Sequence, residues 1–261
     1  MPEISNSIMA AINNLRGIES SGLIVGNIIG GTLMQVTLLL GVVTMFAVLH
    51  TTHKSLFRDG SMIIASIIIM YLFSLDGSVS KIEGIILIAI YMAYLIHLLR
   101  TEKVMNKVKI RKENPLLDIL IIIIGLAMVI FGAKFAIENG VILARKLNIL
   151  EAFIGLFIGV GTSLPELSVS IKAAIRQSHH LSLGNILGSS ITNPLFAFGS
   201  GAAISGFIVS KTALLFYFPF WIIATLIALL MLFDHMNLNK KEGAVLILLY
   251  ILFIYLGFVL L

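Results

Sequence analysis

Apolar stretches long enough to cross a bilayer recur from one end of this chain to the other. That restricts it to folds that satisfy every backbone N–H and C=O inside the membrane. Reading apolar segments against polar breaks places spans near 22–49, 61–75, 82–99, 116–138, 149–175, 182–208, 212–233 and 243–261, preceded by a short stretch at 2–14. The breaks between them are too short to hold a soluble domain. The expectation is an all-α integral membrane protein with about eight full transmembrane helices and an N-terminal partial helix. Composition agrees, because 59% of the residues are hydrophobic, 12% are charged and the mean hydropathy is +1.06.

There are no cysteines, which excludes disulfide frameworks, thiolate metal sites and thiol catalysis. The net charge of +5 belongs to loops rather than to a nucleic-acid partner. The most basic break is 100–114, with Arg100, Lys103, Lys107, Lys109, Arg111 and Lys112. Placing it in the cytoplasm and alternating outward puts Lys54, Arg58, Arg176, Lys240 and Lys241 on the same side. Arg16, Lys81, Arg145, Lys146 and Lys211 fall opposite, so the positive-inside rule sets the C-terminus outside. The opening MPEISNSIMA lacks the basic and apolar regions of a signal peptide.

Two parts of the chain say nearly the same thing. PEISNSIMAAI (2–12) matches PELSVSIKAAI (165–175), and GNIIGGTLMQ (26–35) matches GNILGSSITN (184–193). Glu3 therefore pairs with Glu166, Ser5 with Ser168, Ser7 with Ser170 and Asn27 with Asn185. Under the loop assignment the first Pro-Glu element runs outward and the second inward, so the repeats are inverted and their shared site belongs near the bilayer midplane. The division expected is 1–99, the basic loop 100–114, and 115–261. About fifty residues precede the Pro-Glu element in the second half and a single methionine does in the first. On this reading the chain lacks its first span and the first half of its second.

A glutamate inside a membrane span costs at least about 2.5 kcal/mol on insertion scales for comparable charges, so it is functional by default. On a helix Thr162, Ser163, Glu166 and Ser170 share one face, and Pro165 frees nearby carbonyls. Asn185, Ser189 and Asn193 share another face, as do Asn27, Gly31 and Gln35. Gly184 and Gly188, like Gly26 and Gly30, form GxxxG pairs that allow close helix packing. Two carboxylates meeting at the midplane repel one another unless a cation or a proton lies between them. Oxygen-only ligands suit calcium better than zinc or copper. The histidines His50, His53, His97, His179, His180 and His235 lie at or near span ends and are read as solvated. Lys134 and Glu138 are spaced for an ion pair within one helix.

The doubled motifs GTSLPEL…GNILGSS and PEI…GNIIGG resemble those of the cation/calcium exchanger superfamily, over essentially the whole chain. The resemblance implies an inverted-repeat transporter that exchanges calcium for sodium or, in some branches, protons. It implies Glu3 and Glu166 as the central calcium carboxylates, Thr162 and Ser163 at a flanking coupling-ion site, and Ser189 and Asn193 as cage positions. Gly31 and Gln35 stand where the family usually has serine and asparagine or aspartate. Ser7 and Ser170 complete the candidate set.

The reading is an alternating-access antiporter in the cell membrane. Its partners are calcium and sodium ions and the bilayer, with no cofactor, no nucleic acid and no obligate protein partner. Two alternatives stay open: a proton-coupled exchanger of calcium or another divalent ion, and a non-transporting membrane protein in which the Met1 amine mimics the cation. No nucleophile–base arrangement supports an enzyme.

Overall fold

The structure is a computed structural model that describes residues 2–101, 115–147, 149 and 151–259. Met1 and most of the basic segment, 102–114, lie outside the described residues. The elements in chain order are α1 (Pro2–Leu15), α2 (Ser21–Met34), a π-helical turn (Gln35–Leu39), α3 (Leu40–Phe46), β1 (Leu49–His50), α4 (His53–Ser74), β2 (Ser78–Val79) and α5 (Lys81–Thr101). The second half holds α6 (Pro115–Leu147), α7 (Glu151–Thr162), α8 (Leu164–Ile175), α9 (His179–Thr192), a π turn (Asn193–Ala197), α10 (Phe198–Ser205) and β3 (Phe207–Ile208). A third π turn (Ala213–Tyr217), α11 (Phe218–His235), β4 (Asn237–Leu238) and α12 (Lys240–Val259) complete it.

Seven helices among the described residues are long and apolar enough to cross a membrane. The eighth expected span, 182–208, is the broken helix α9–π–α10, whose polar Asn185, Ser189, Ser190 and Asn193 dilute its apolar character. The span read from sequence as 61–75 is longer: α4 begins at His53, because Thr52 caps it by accepting from Ser55 N at 3.4 Å. The polar residues that hid its first turns include Asp59. That side chain is buried and both oxygens are partnered: Oδ1 accepts from Arg58 Nε at 2.6 Å and the Tyr94 hydroxyl at 2.9 Å, and Oδ2 from Arg58 Nη2 at 3.0 Å. Lys134 and Glu138 do face each other, at 4.0 Å, on an exposed stretch of α6.

The core is built around α2, in which every residue but Gly22 is buried. Its partner is α7. The glycine ladder sets both their closeness and their direction: Gly22 lies on Glu151 and Ala152, Gly26 on Ala152 and Gly155, Gly30 on Leu156 and Gly31 on Gly159. Contact points that advance together along both chains mean that α2 and α7 run parallel. The outer helices turn apolar side chains outward, Ile82, Ile85 and Met92 on α5 and Phe131 and Phe135 on α6 among them. That is the surface a lipid-embedded protein presents.

The repeat is visible in local detail. β1 pairs with β4 and β2 with β3, both antiparallel, so each half lends one strand to each ribbon. Ser80 caps α5 by accepting from Glu83 N at 3.3 Å while Glu83 Oε2 accepts from Ser80 N at 2.7 Å. Asn239 and Glu242 make the same reciprocal pair at α12, at 3.2 and 2.8 Å. Both long broken helices slip into a π turn at matching residues, Gln35 and Asn193. The α8–α9 turn makes α9 antiparallel to α8, which continues α7. Since α7 is parallel to α2, α9 runs opposite to its counterpart α2, and the two halves are inverted. After α10 the chain turns at Gly206 with φ +63° and ψ 166°, a conformation open in practice only to glycine.

Candidate ion-binding site

α7 and α8 are not one helix. Ser163, at φ −90° and ψ 0°, interrupts them, and Pro165 sits in the first turn of α8, where its missing N–H withdraws a donor from the preceding turn. The continuous face expected through Thr162, Ser163, Glu166 and Ser170 is therefore broken at the junction. The break turns Ser163 across to the other repeat, where its Oγ donates to Glu3 Oε1 at 3.0 Å. Gln35 Nε2 in turn donates to Ser163 Oγ at 3.3 Å, and Gln35 Oε1 lies 3.3 Å from Ser190 Oγ. One hydrogen-bonded line thus runs from α9 through the first π turn and the α7–α8 break to α1.

The two repeat asparagines act alike. Asn27 Nδ2 donates to the Glu3 carbonyl at 3.5 Å, and Asn185 Nδ2 donates to the Glu166 carbonyl at 3.1 Å and to Ser170 Oγ at 2.9 Å. Each clamps the backbone that carries a glutamate. Asn27 Oδ1 accepts from Asn6 Nδ2 at 3.4 Å and lies 3.5 Å from Thr162 Oγ1, whose shorter bond, at 3.0 Å, goes to the Gly159 carbonyl.

Glu3 is 1% exposed and Glu166 8% exposed, and Ser7, Gln35, Ser163, Ser170, Ser189 and Asn193 are also buried. The carboxylates are linked through the chain, since Ser163, which donates to Glu3, stands three residues before Glu166. Yet Glu3 Oε2 and Glu166 Oε2 have no hydrogen-bond donor, and Ser7 Oγ, Thr32 Oγ1 and both amide atoms of Asn193 are buried without partners as well. Buried polar atoms are normally paired, as those of Asp59 are, so these orphans are unusual; Tyr217 Oη, Trp221 Nε1 and Thr225 Oγ1 are further buried atoms without partners, and only the glutamates among them bring a carboxylate.

The other candidates are placed as follows. Ser189 bonds back to its own helix, at 2.8 Å to the Asn185 carbonyl. Gly31 packs so that an added Cβ would stand 3.2 Å from the Gly159 carbonyl and 3.3 Å from Ser163 Oγ, which is the local reason for glycine here. The GxxxG pairs behave differently in the two halves. Gly26 and Gly30 meet the α7 backbone, whereas Gly184 and Gly188 have nothing within 4 Å of an added Cβ. Asn6, Thr32 and Ser190 escaped the sequence reading. The repeat offered a signal for two of them, since GGT and GSS align Thr32 with Ser190.

A discontinuous helix at an inverted-repeat interface is the arrangement in which many secondary membrane transporters build their ion sites. The chain belongs to the sodium/calcium exchanger protein family, which it matches over residues 1–100 and 117–259. It is a transporter, not an enzyme. It is similar to the sodium/calcium exchanger MaX1 of Methanosarcina acetivorans, at 26% identity over 97% of this chain and 84% of that protein. It is also similar to the putative antiporter CaxA of Alkalimonas amylolytica, at 26% identity over 90% of this chain and 78% of that protein. Among solved structures, the sodium-calcium exchanger NCX_Mj superposes with a TM-score of 0.69 at 24% identity, covering 97% of this chain and 80% of that one. The H+/Ca2+ exchanger CAX superposes with a TM-score of 0.72 at 15% identity, covering 96% and 69%. At these identities the two structures establish the shared fold.

Proposed function

We propose that this protein exchanges calcium for sodium by alternating access, with the ions bound between Glu3 and Glu166 as shared substrates. The single observation that carries this reading is the pair of buried glutamates, one from each repeat, each with an unpartnered carboxylate oxygen. Two adjacent anions in a dry interior need a cation or a proton between them, and carboxylate, hydroxyl and amide oxygens suit calcium. On this reading Ser7, from the half 1–99, and Ser170, Thr162, Ser163, Ser189 and Asn193, from the half 115–261, supply further oxygens. The name of the Methanosarcina relative supports sodium as the coupling ion. The basic breaks favour a cytoplasmic 100–114 loop and an outside C-terminus.

A second reading, proton coupling, is favoured by the first-repeat flank. There Gly31 offers no side-chain oxygen and Gln35 Oε1 already accepts from Ser190 Oγ at 3.3 Å, so fewer free ligands remain for a second metal cation. Radioactive calcium uptake into proteoliposomes under separate outward sodium and proton gradients decides between them. Uptake under the sodium gradient alone is expected. Uptake under the proton gradient alone overturns sodium coupling, and uptake under neither overturns the exchange reading for this chain.

Ser163→Ala tests the line of hydrogen bonds. Losing a hydrogen bond to a charged group costs about 1.5–3 kcal/mol, so uptake at limiting calcium is expected to fall at least about tenfold. Unchanged uptake would remove Ser163 from the site.

A further inference from the structure

His50 on β1 and His179 at the start of α9 come from different repeats, yet their imidazoles meet with ring centroids 5.1 Å apart and planes at 84°. Two imidazoles bound through nitrogen to one tetrahedral zinc, at about 2.0–2.1 Å each, place their centroids about 5 Å apart. The rings already stand at that separation. His179 Nδ1 is in addition buried with no hydrogen-bond partner, so that nitrogen's lone pair or N–H has no protein group to meet it. Among the described residues no three metal-binding side chains converge, so a site here would have two protein ligands.

We propose that His50 and His179 form a two-imidazole binding site for a transition-metal ion of the zinc class, separate from the oxygen-lined glutamate site. Imidazole nitrogen selects zinc, nickel and copper over calcium, so the two sites sort ions by ligand chemistry. A metal here ties the β1–β4 ribbon to α9, the helix whose Asn185 holds the backbone of Glu166. If alternating access moves α9 against that ribbon, a step that rests on the proposed function, zinc arrests exchange.

The test is zinc binding to the purified 261-residue protein in detergent, read by calorimetry and by melting temperature. The variants are His50→Ala, His179→Ala, Glu166→Gln and, as a control, His235→Ala, whose imidazole is exposed beside Asp234 at 3.2 Å. Zinc is expected to bind and to raise the melting temperature of the parent. Since loss of a mere supporting partner costs about 10–100-fold in metal affinity, each ligand variant is expected to lose at least about tenfold. Glu166→Gln and His235→Ala are expected to bind as the parent does. Equal affinity in His50→Ala and His179→Ala overturns the site, as does loss of zinc binding in Glu166→Gln alone. In proteoliposomes external or internal zinc is expected to inhibit the parent and spare His179→Ala. Equal inhibition of both overturns the arrest while the binding measurement still decides the site, and absence of exchange in zinc-free vesicles counts against the proposed function alone.

Discussion

Glu166→Gln is expected to abolish calcium exchange, lowering uptake by two orders of magnitude or more while the protein still folds. The amide has nearly the shape of the carboxylate, so α8 keeps its packing, and the Asn185 clamp is unaffected because it holds the Glu166 backbone carbonyl. On the proposed function, what is lost is one of two negative charges that would face the bound cation. Removing one partner of a buried charge pair costs about 3–5 kcal/mol, and each 1.4 kcal/mol is tenfold, hence the expected size. The amide also brings donors toward a position where the native oxygen accepts nothing. Glu3→Gln is expected to match it, with one difference. Glu3 Oε1 accepts from Ser163, so its loss also loosens the Ser163–Gln35 line. Uptake in Glu166→Gln within a few-fold of the parent, at an unchanged melting temperature, would remove the ion site from this place.

The outline of the candidate site was readable in the chain because its motif is written twice. The membrane class followed from run lengths, and Glu3 with Glu166 followed from the duplicated Pro-Glu element inside apolar surroundings. Local signals also carried the ends of helices, as in the capping pairs Ser80–Glu83 and Asn239–Glu242. What pattern could not convey was any relation set by long-range packing. Ser163 looked like one more residue on the Glu166 face, and only the helix break sends it to Glu3. Ser189 looked like Gly31's better-endowed counterpart, and the pattern did not convey that its hydroxyl donates to its own helix backbone. Asp59 read as loop because a charged pair normally ends a span, whereas Tyr94 from the next helix makes its burial tolerable. His50 and His179 stood in separate loops, where no periodicity connects them.

The glycines give the sharpest contrast, because identical motifs are expected to respond in opposite ways. In Gly26→Ala the new methyl would collide with the Ala152 carbonyl oxygen and lie 2.9 Å from Gly155 Cα, and in Gly30→Ala it would lie 2.5 Å from Leu156 Cα. These are backbone atoms, so no side chain can rotate away and the helices themselves must separate. Overpacking a core commonly costs about 1–3 kcal/mol, and a backbone clash belongs at or above the upper end. Each variant is expected to melt well below the parent or to fail to accumulate. Gly184→Ala meets nothing within 4 Å and replaces a poor helix former, so it is expected to be neutral or stabilising by up to about 1 kcal/mol. Melting temperatures of the three variants in detergent check this. A Gly184→Ala variant as unstable as Gly26→Ala would mean that α9 is packed as tightly as α2. The consequence reaches the site, because the α2–α7 contact is what sets Gly31 against Ser163. If Gly30→Ala survives with the helices pushed apart, calcium exchange is expected to fall further than stability does, since the displaced Ser163 can no longer reach Glu3.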